Sequence, residues 1–319
     1  MDKLTALSGD RIERVAFGSE QLGGYDWGTI DLESIEEAAD FAVNNGCYLF
    51  DTADCYGKGE SERRLGKALN GSRSNAFITT KFGVRFDEHG SVFYDNSPDY
   101  CERALDSSLE RLNTDYLDLY LVHWPDRRTS LNRLFEKLES CREDGRIRYY
   151  GVSNFSLEKI DDLTGHWPGF KFFSMGFSFL NCKEKLRINE ICIDKGLVFL
   201  AYGVLAQGLL SGKYSEKTNF DTGDRRSRGT SENFKGQKYL ENLKLVYKLR
   251  ELALEHPPWS VAQLAIKFVL EELPQSCSVV GVKGRKQFTE NIEPSTCPIG
   301  SDLLEKVRCI SQLSHVASV

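Results

Sequence analysis

Four polar residues of types common in catalysis stand at the ends of short apolar runs or directly after them. Asp51 closes CYLFD, and Tyr56 follows in a glycine-containing turn. Lys81 closes AFITTK, and His123 closes LDLYLVH. Each residue alone has an ordinary structural explanation, such as a helix cap, a packed aromatic ring or a solvated charge. Their common position at strand ends is what suggests one site.

Together the four side chains could deliver a proton to a carbonyl oxygen. A phenol has an ordinary pKa of about 10, and we expect a nearby lysine ammonium to lower the pKa of Tyr56. A carboxylate would keep that lysine charged and oriented. A neutral imidazole would donate a hydrogen bond to the carbonyl oxygen as negative charge develops there.

Apolar runs of strand length alternate along the chain with amphipathic runs of helix length. The predicted strands are 14–19, 47–51, 76–81, 117–123, 147–153, 171–175, 197–203 and 278–282. The predicted helices are 33–45, 59–69, 98–111, 130–144, 156–163, 183–194, 238–271 with a break near Pro257-Pro258, and 285–292. The alternation predicts a (β/α)8 TIM barrel, whose carboxyl face would gather the four residues. An open doubly wound sheet is the alternative.

Two segments fall outside this repeat. The polar, glycine-containing segment 214–237 predicts a long loop after the seventh strand, and 301–315 predicts one more helix. The chain shows no internal repeat and no linker. We therefore expect a single domain over residues 1–319.

Composition limits the classes of function. A net charge of −6 without a basic stripe argues against nucleic-acid binding. Nine scattered cysteines without a C-x-x-C pair indicate reduced thiols and a cytoplasmic protein, and we assign no metal site. The first 15 residues lack the apolar core of a secretory signal. The most apolar stretch, 196–210, is too short and too interrupted by glycine to span a bilayer.

Longer motifs show that the chain resembles the aldo-keto reductases along nearly its whole length. The motifs, in that family's order, are FDTADCYGKGESERRLGKAL, ITTKFG, SLERLNTDYLDLYLVHWPD, GRIRYYGVSNFS, LAYGVLAQGLLSGKY and VVGVKGRKQFTENIE. The resemblance implies a (β/α)8 barrel and hydride transfer between a nicotinamide cofactor and a carbonyl. It also implies a catalytic tetrad formed by Asp51, Tyr56, Lys81 and His123. Tyr56 would be the general acid in reduction and the general base in oxidation.

No G-x-G-x-x-G motif follows a predicted strand, so a nicotinamide cofactor would have to bind on the barrel itself. By resemblance, Ser153 and Asn154 bind the carboxamide, and Tyr202 stacks on the nicotinamide ring. Further cofactor contacts implied near the ring and pyrophosphate are Ser174, Gly203, Leu205, Gln207, Gly208 and Lys213. Those implied at the adenosine end are Gly281, Lys283, Arg285, Gln287, Glu290 and Asn291.

A small basic cluster favours NADPH over NADH. Lys283, Arg285 and Lys286 begin a predicted helix, and both cations and a helix N-terminus favour an anion such as a 2′-phosphate. Arg225 and Arg226 in the long polar loop are candidates to close over the phosphates.

The chain departs from the family pattern around the sixth strand. The family's usual glutamine and Tyr-Asn pair are here Ser174, Phe177 and Ser178. The carboxamide would lose an amide partner and gain a shorter hydroxyl, with a water able to bridge the gap. The usual Ser-Pro is Gly203-Val204, and the usual IPG is VVG. These changes concern the cofactor more than the tetrad.

Aromatic residues are placed to line a substrate pocket. Tyr25, Asp26 and Trp27 follow the first barrel strand, and Trp124 and Phe82 come from neighbouring loops. Aromatic walls with a few polar groups suit a small-molecule site. They would fit a sugar face and an aromatic carbonyl equally well.

Several functions stay open at this point. The first is NADPH-dependent reduction of a small aldehyde, a ketone or a keto-sugar. The second is a cofactor-binding regulatory protein, because the resemblance extends to potassium-channel β subunits. The third is an NAD-dependent sugar or alcohol dehydrogenase. We expect a small-molecule carbonyl partner, no membrane association, and a monomer or small homo-oligomer.

Overall fold

The structure is a computed structural model that describes residues 3–7, 10–163, 167–228 and 231–316. Its strands are β1 (Lys3–Leu7), β2 (Asp10–Glu13), β3 (Val15–Gly18), β4 (Leu49–Asp51), β5 (Phe77–Phe82), β6 (Val84–Phe86), β7 (Val92–Tyr94), β8 (Leu117–Val122), β9 (Ile147–Ser153), β10 (Phe170–Gly176), β11 (Val198–Tyr202) and β12 (Ser276–Gly281). Its α-helices are α1 (Leu32–Asn44), α2 (Glu60–Ala68), α3 (Pro98–Leu112), α4 (Leu131–Glu143), α5 (Leu157–Leu163), α6 (Lys185–Lys195), α7 (Gly236–Glu255), α8 (Val261–Glu272), α9 (Arg285–Ile292) and α10 (Ser301–Val316).

Eight of these strands close into a parallel barrel. Their order around it is β3, β4, β5, β8, β9, β10, β11 and β12, and β12 pairs back to β3. The predicted (β/α)8 TIM barrel is therefore confirmed, and the open sheet is excluded. All eight predicted strands correspond to barrel strands, and their bounds differ from the predicted ones by at most two residues.

Two apolar layers hold the barrel together. One fills its interior, and it consists of Ile12, Ala16, Leu49, Phe77, Leu119, Leu121, Phe172, Val198, Leu200 and Cys277. The other, larger layer lies between the outer face of the strands and the helices. Ile12 belongs to β2, so the antiparallel β1–β2 hairpin covers the end of the barrel opposite the strand carboxyl ends.

Several helices begin at polar residues whose side chains cap them. The Asp31 carboxylate accepts a hydrogen bond from the Ser34 amide at the start of α1. Ser260 and Gln263 form a reciprocal capping box at the start of α8. The predicted 238–271 helix is two helices, α7 and α8, which are separated at Pro257-Pro258 as expected.

Two hairpins were not predicted, β1–β2 and β6–β7. The second is formed by VRF and VFY around a DEHG turn, a signal hidden inside a polar stretch. The predicted long loop ends at α7, and its described part carries short 3-10 helices at Arg225–Arg228 and Glu232–Phe234.

The nine cysteines all lie in the described part of the chain and are thiols, not disulfides, as their scattered spacing predicted. Within the described residues, no helix combines the length and the apolar character needed to cross a membrane.

Candidate active site

Strand alternation decides which side chains reach the mouth of the barrel. On β4, Leu49 lies in the interior layer and Phe50 in the outer layer, so Asp51 faces the interior. The same alternation of interior and outer side chains holds on the other barrel strands. Each barrel strand thereby contributes at least one residue at or just after its carboxyl end to a cleft of about 460 Å3, and these residues include Gly18, Asp51, Lys81, His123, Ser153, Ser174, Tyr202 and Gly281.

A buried ion pair forms the floor of this cleft. The Lys81 Nζ donates to Asp51 Oδ1 at 2.7 Å and to Oδ2 at 2.8 Å, and also to the Thr52 carbonyl at 2.7 Å. An ammonium has three donor hydrogens. Asp51 therefore holds Lys81 in place, as the sequence suggested.

Tyr56 lies in the same cleft, on a tight turn after β4. Gly57 has a φ of 61°, and a Cβ there would lie 2.3 Å from the Gly23 carbonyl oxygen. Only glycine therefore allows this turn to pack against the loop that follows β3. The Tyr56 ring meets the His123 imidazole edge-on, with centroids 5.8 Å apart. Lys81 Nζ is 5.4 Å from the centroid of the Tyr56 ring. The predicted tetrad thus converges, although it comes from three strands.

The protonation of the tetrad differs from expectation at Tyr56. Burial raises the pKa of Tyr56 well above 10, and the carboxylates of Glu20 and Asp51 raise it further. The expectation of a lowered pKa is therefore wrong, because burial and the carboxylates outweigh the positive charge near the phenol, and the Lys81 ammonium is paired with Asp51 and Thr52. Burial, with a contribution from Lys81, lowers the pKa of His123 well below 6.5. The phenol and the imidazole are both neutral near pH 7.

The residues expected at the nicotinamide form a hydrogen-bonded group beside the tetrad. Asn154, with a φ of 64°, donates through Nδ2 to the His123 carbonyl at 2.9 Å and to Ser153 Oγ at 3.1 Å. The Tyr202 hydroxyl donates to Asn154 Oδ1 at 2.6 Å. Ser174 is buried, and its hydroxyl donates to the Leu200 carbonyl at 2.9 Å.

Four cations line the cleft. Lys213, Arg226 and Lys283 lie close together, and Arg226 pairs with Asp224. Arg225 lies nearer Tyr56, where it pairs with Glu20. Burial, together with the charges of Arg226 and Lys213, lowers the pKa of Lys283 below its ordinary value. Like charges gathered this closely are suited to an anion. The turn beside them carries positive φ at Gln207 and Gly208, which also line the cleft together with Leu205 and Gly203.

The residues expected at the adenosine end do not all reach the cleft. Lys283 and Gln287 line it. Arg285 lies outside its wall, with its guanidinium 4.2 Å above the Phe41 ring. Glu290 and Asn291 are also outside that wall, Glu290 exposed and Asn291 buried. Their assignments as cofactor contacts stay predictions.

The residues predicted to contact a substrate make part of the cleft wall aromatic. Tyr25, Trp27 and Trp124 line it. Asp26 does not line the cleft, and its carboxylate pairs with Arg228. The expectation for Phe82 is wrong, because that side chain is fully buried and stacks on Tyr120 at 4.7 Å.

Sequence reasoning missed five cleft residues near the tetrad. Val84 and Phe86 come from the unpredicted β6–β7 hairpin. Glu20 and Gln21 directly follow β3, a position that could have identified them. The Glu20 carboxylate pairs with Arg225 at 2.6 Å, and burial raises its pKa. Cys55 precedes Tyr56 and faces His123, with Sγ 3.5 Å from Nδ1.

Comparison with known proteins identifies the family. A model of the aldo/keto reductase family matches residues 14–310. This chain belongs to the aldo/keto reductase family. As a member, it is an oxidoreductase related to enzymes that act on carbonyl groups.

Relatives of this aldo/keto reductase cover most of its length. It is 31% identical over 269 residues to the aldo-keto reductase YhdN of Bacillus subtilis, covering 84% of this chain and 80% of the relative. It is 27% identical over 307 residues to the aldo-keto reductase yakc [NADP(+)] of Schizosaccharomyces pombe, covering 95% of this chain and 89% of the relative. The structure of a glycerol dehydrogenase from Gluconobacter oxydans superposes with a TM-score of 0.84 at 28% identity, covering 97% and 94% of the two chains.

Proposed function

We propose that this chain reduces the carbonyl group of an aldehyde or a ketone, with NADPH as the reductant and Tyr56 as the proton donor. The convergence of Tyr56, His123 and the Lys81–Asp51 pair on one cleft carries the proposal. The cofactor supplies a hydride to the carbonyl carbon when bound. The chain's own residues must then bind the carbonyl oxygen and supply its proton.

The protonation states fit a reduction. The neutral Tyr56 phenol holds the proton that the developing alkoxide needs. The neutral imidazole of His123 can donate a second hydrogen bond to the same oxygen. The ammonium of Lys81 adds positive charge near the oxygen while Asp51 fixes its position. The high pKa of Tyr56 keeps it an acid throughout the physiological range.

The cleft also fits a polar dinucleotide cofactor. Among the described residues, four buried polar atoms in its wall have no hydrogen-bond partner on the protein: Gln21 Oε1, Trp27 Nε1, Gln207 Oε1 and Arg225 Nε. Buried polar groups rarely stay unpaired, so such atoms point to a polar ligand. A ligand that extends from Asn154 and Tyr202 to the three clustered cations would meet these groups and place its phosphates among the positive charges.

NADPH is preferred to NADH for an electrostatic reason. Lys283 lies in the cleft wall near Arg226 and Lys213, where a further phosphate would relieve the crowding of like charges. The relative named yakc [NADP(+)] supports the same preference. Arg285 is proposed only as a flanking charge, since it packs over Phe41 outside the cleft wall.

The substrate class follows from the aromatic end of the cleft. Tyr25 and Trp124 offer exposed ring faces, and the Glu20–Arg225 pair offers polar atoms close by. A hydroxylated carbonyl compound such as a keto-sugar would use both. The nine cysteine thiols fit a cytoplasmic enzyme.

Oxidation is the second candidate direction. The superposed structure from Gluconobacter oxydans is that of a glycerol dehydrogenase. In this direction the same Tyr56 would accept the proton of a polyol hydroxyl, and its high pKa would require a more alkaline medium.

A cofactor titration followed by a carbonyl panel tests the proposal. Quenching of tryptophan and tyrosine fluorescence would measure the Kd of NADPH and of NADH. We expect selective binding of NADPH and its consumption with aldehydes or keto-sugars. Binding of neither cofactor would overturn the proposal. Tight binding without turnover across the panel would favour a regulatory protein on the same barrel.

A further inference from the structure

Asp54 and Cys55 have no part in the proposed reaction, yet they lie beside the catalytic histidine. Cys55 Sγ is 3.5 Å from His123 Nδ1. One ligand atom from each of Asp54, Cys55 and His123 lies within 4.8 Å of the other two. A carboxylate, a thiol and an imidazole this close together form a metal-ligand set that spacing along the sequence did not show.

The distance between the sulfur and the nitrogen matches that of a zinc site. Zinc–sulfur and zinc–nitrogen bonds of about 2.3 and 2.05 Å at a tetrahedral angle separate the two ligand atoms by about 3.5 Å. The observed separation of Sγ and Nδ1 is 3.5 Å. The two atoms could therefore bind one ion without rearranging the barrel.

Asp54 adds an acceptor that lacks a partner. Its Oδ1 is buried, and the described residues provide no hydrogen bond to it. The neighbouring Arg111 donates a hydrogen bond from Nε to the Glu62 carboxylate at 2.6 Å, so this nitrogen does not serve Asp54. A buried carboxylate oxygen without a partner is costly, and a bound cation would remove that cost.

Asp54 and Cys55 are also accessible without passing the substrate. Cys55 lines the main cleft and also a neighbouring groove, which Asp54 lines with Lys58 and Arg103. An ion could enter by this groove. A water molecule could then complete the four ligands of a tetrahedral site.

We propose that Asp54, Cys55 and His123 form a binding site for a thiophilic divalent cation such as Zn2+. Thiolate and imidazole ligands select zinc and similar ions over magnesium or calcium. Binding releases the thiol proton to solvent and involves no change of oxidation state. As a consequence that rests on the proposed function, an ion and its water held between Cys55 and His123 would occupy the cleft wall where the carbonyl oxygen binds, and would lower turnover. Binding itself does not depend on that function.

Cobalt binding tests the site directly. The reference protein carries Cys297→Ser and Cys309→Ser, which remove the two exposed thiols. Titration with Co2+ should give one equivalent per chain with a thiolate-to-cobalt absorption band, and Zn2+ should displace it. Cys55→Ala in this background should remove the band and weaken binding by at least about tenfold, and Asp54→Asn should also weaken it by about tenfold.

Two further variants distinguish loss of metal binding from loss of folding. Cys192→Ala removes a buried thiol on α6 and should leave the cobalt affinity unchanged. Cys55→Val replaces the thiol with a side chain of similar shape, and its thermal unfolding should match that of the reference. Absence of the thiolate band in the reference, or equal affinity in Cys55→Val, would overturn the proposal.

Inhibition is measured separately. Zn2+ should lower NADPH oxidation by the reference protein, EDTA should restore it, and Cys55→Val should be at least about tenfold less sensitive to Zn2+. Zinc binding without inhibition would confirm the site and remove only its proposed consequence.

Discussion

The Lys81 ammonium is held by Asp51, at 2.7 and 2.8 Å from the two carboxylate oxygens, and its Nζ lies over the Tyr56 ring, 5.4 Å from the ring centroid. The lysine therefore supplies positive charge to the cleft without ionising the phenol. This arrangement keeps Tyr56 protonated, which is the state that a proton donor in reduction requires.

Replacing Tyr56 by phenylalanine should remove the proton donor and leave the cofactor site intact. We expect kcat for carbonyl reduction to fall by about 100-fold to 10,000-fold. The Kd of NADPH should change by less than about twofold, because the phenol acts on the transferred proton. Tyr247→Phe on α7 makes the same chemical change away from the cleft and should keep the original kcat. Wild-type turnover in Tyr56→Phe would show that the catalytic assignment is wrong.

The rate of reduction should depend little on pH around neutrality. Burial lowers the pKa of His123 well below 6.5, and burial raises the pKa of Tyr56 well above 10. The neutral imidazole therefore persists below pH 6.5, and the neutral phenol persists above pH 9. We expect kcat at saturating cofactor to stay constant from about pH 6.5 to 9. A tenfold fall with a single apparent pKa near 8 would show that a lysine-lowered phenol controls the rate.

Lys283 should distinguish the two nicotinamide cofactors. We expect Lys283→Ala to raise the Kd of NADPH by about tenfold to a hundredfold, the range of a hydrogen bond to a charged group. The Kd of NADH should change little, because it lacks the 2′-phosphate. Lys286→Ala is a matched control, since its side chain is 93% exposed and outside the cleft wall. Equal losses for both cofactors would mean that Lys283 does not recognise that phosphate.

Ser174 should matter more for packing than for the cofactor. Its hydroxyl hydrogen is directed to the Leu200 carbonyl at 2.9 Å. Ser174→Ala should therefore lower the free energy of unfolding by about 1 kcal/mol. The Kd of NADPH should change by less than about threefold, or about 0.7 kcal/mol. A much larger loss of affinity would show that the hydroxyl is a direct cofactor partner. Chemical denaturation and fluorescence titration would measure the two quantities.

Glu139 on α4 should make stability depend on acid pH. Burial raises its pKa, but hydrogen bonds from the Gly169 amide, the Tyr150 hydroxyl and Arg142 outweigh burial and hold the pKa below 4.5. A lowered pKa means that the folded state binds fewer protons than the unfolded state. The stabilisation is therefore complete above pH 4.5 and is lost as the pH falls through the lower folded-state value.

The Glu139→Gln variant tests whether this stabilisation is lost as the pH falls. At pH 7 it should unfold with a free energy lower by about 1 to 3 kcal/mol, and the difference should shrink as the pH is lowered toward 3. Glu136→Gln changes an exposed carboxylate on the same helix and should show no such pH-dependent difference. A constant difference between pH 7 and pH 3 would contradict the assignment of the effect to the Glu139 charge.

The local sequence pattern was sufficient to predict most of the barrel architecture. The alternation of apolar strands and amphipathic helices predicted the barrel, and the motif residues predicted the tetrad. The β6–β7 hairpin was missed because its strands are three residues long and partly exposed, so they carry little apolar signal. Phe82 was misplaced because its neighbour Lys81 faces the cleft, and consecutive strand residues face opposite sides.

The sequence by itself determined which residue types reach the barrel mouth, because strand period and strand length are local properties of the chain. Only the tertiary structure decided how those residues act on one another. It assigned the Lys81 charge to Asp51, kept Tyr56 protonated by burial, and turned Arg285 toward Phe41. It also brought Cys55 to His123, 68 positions away. Distances and desolvation arise from contacts between segments far apart in the chain, and neither is encoded in any single motif.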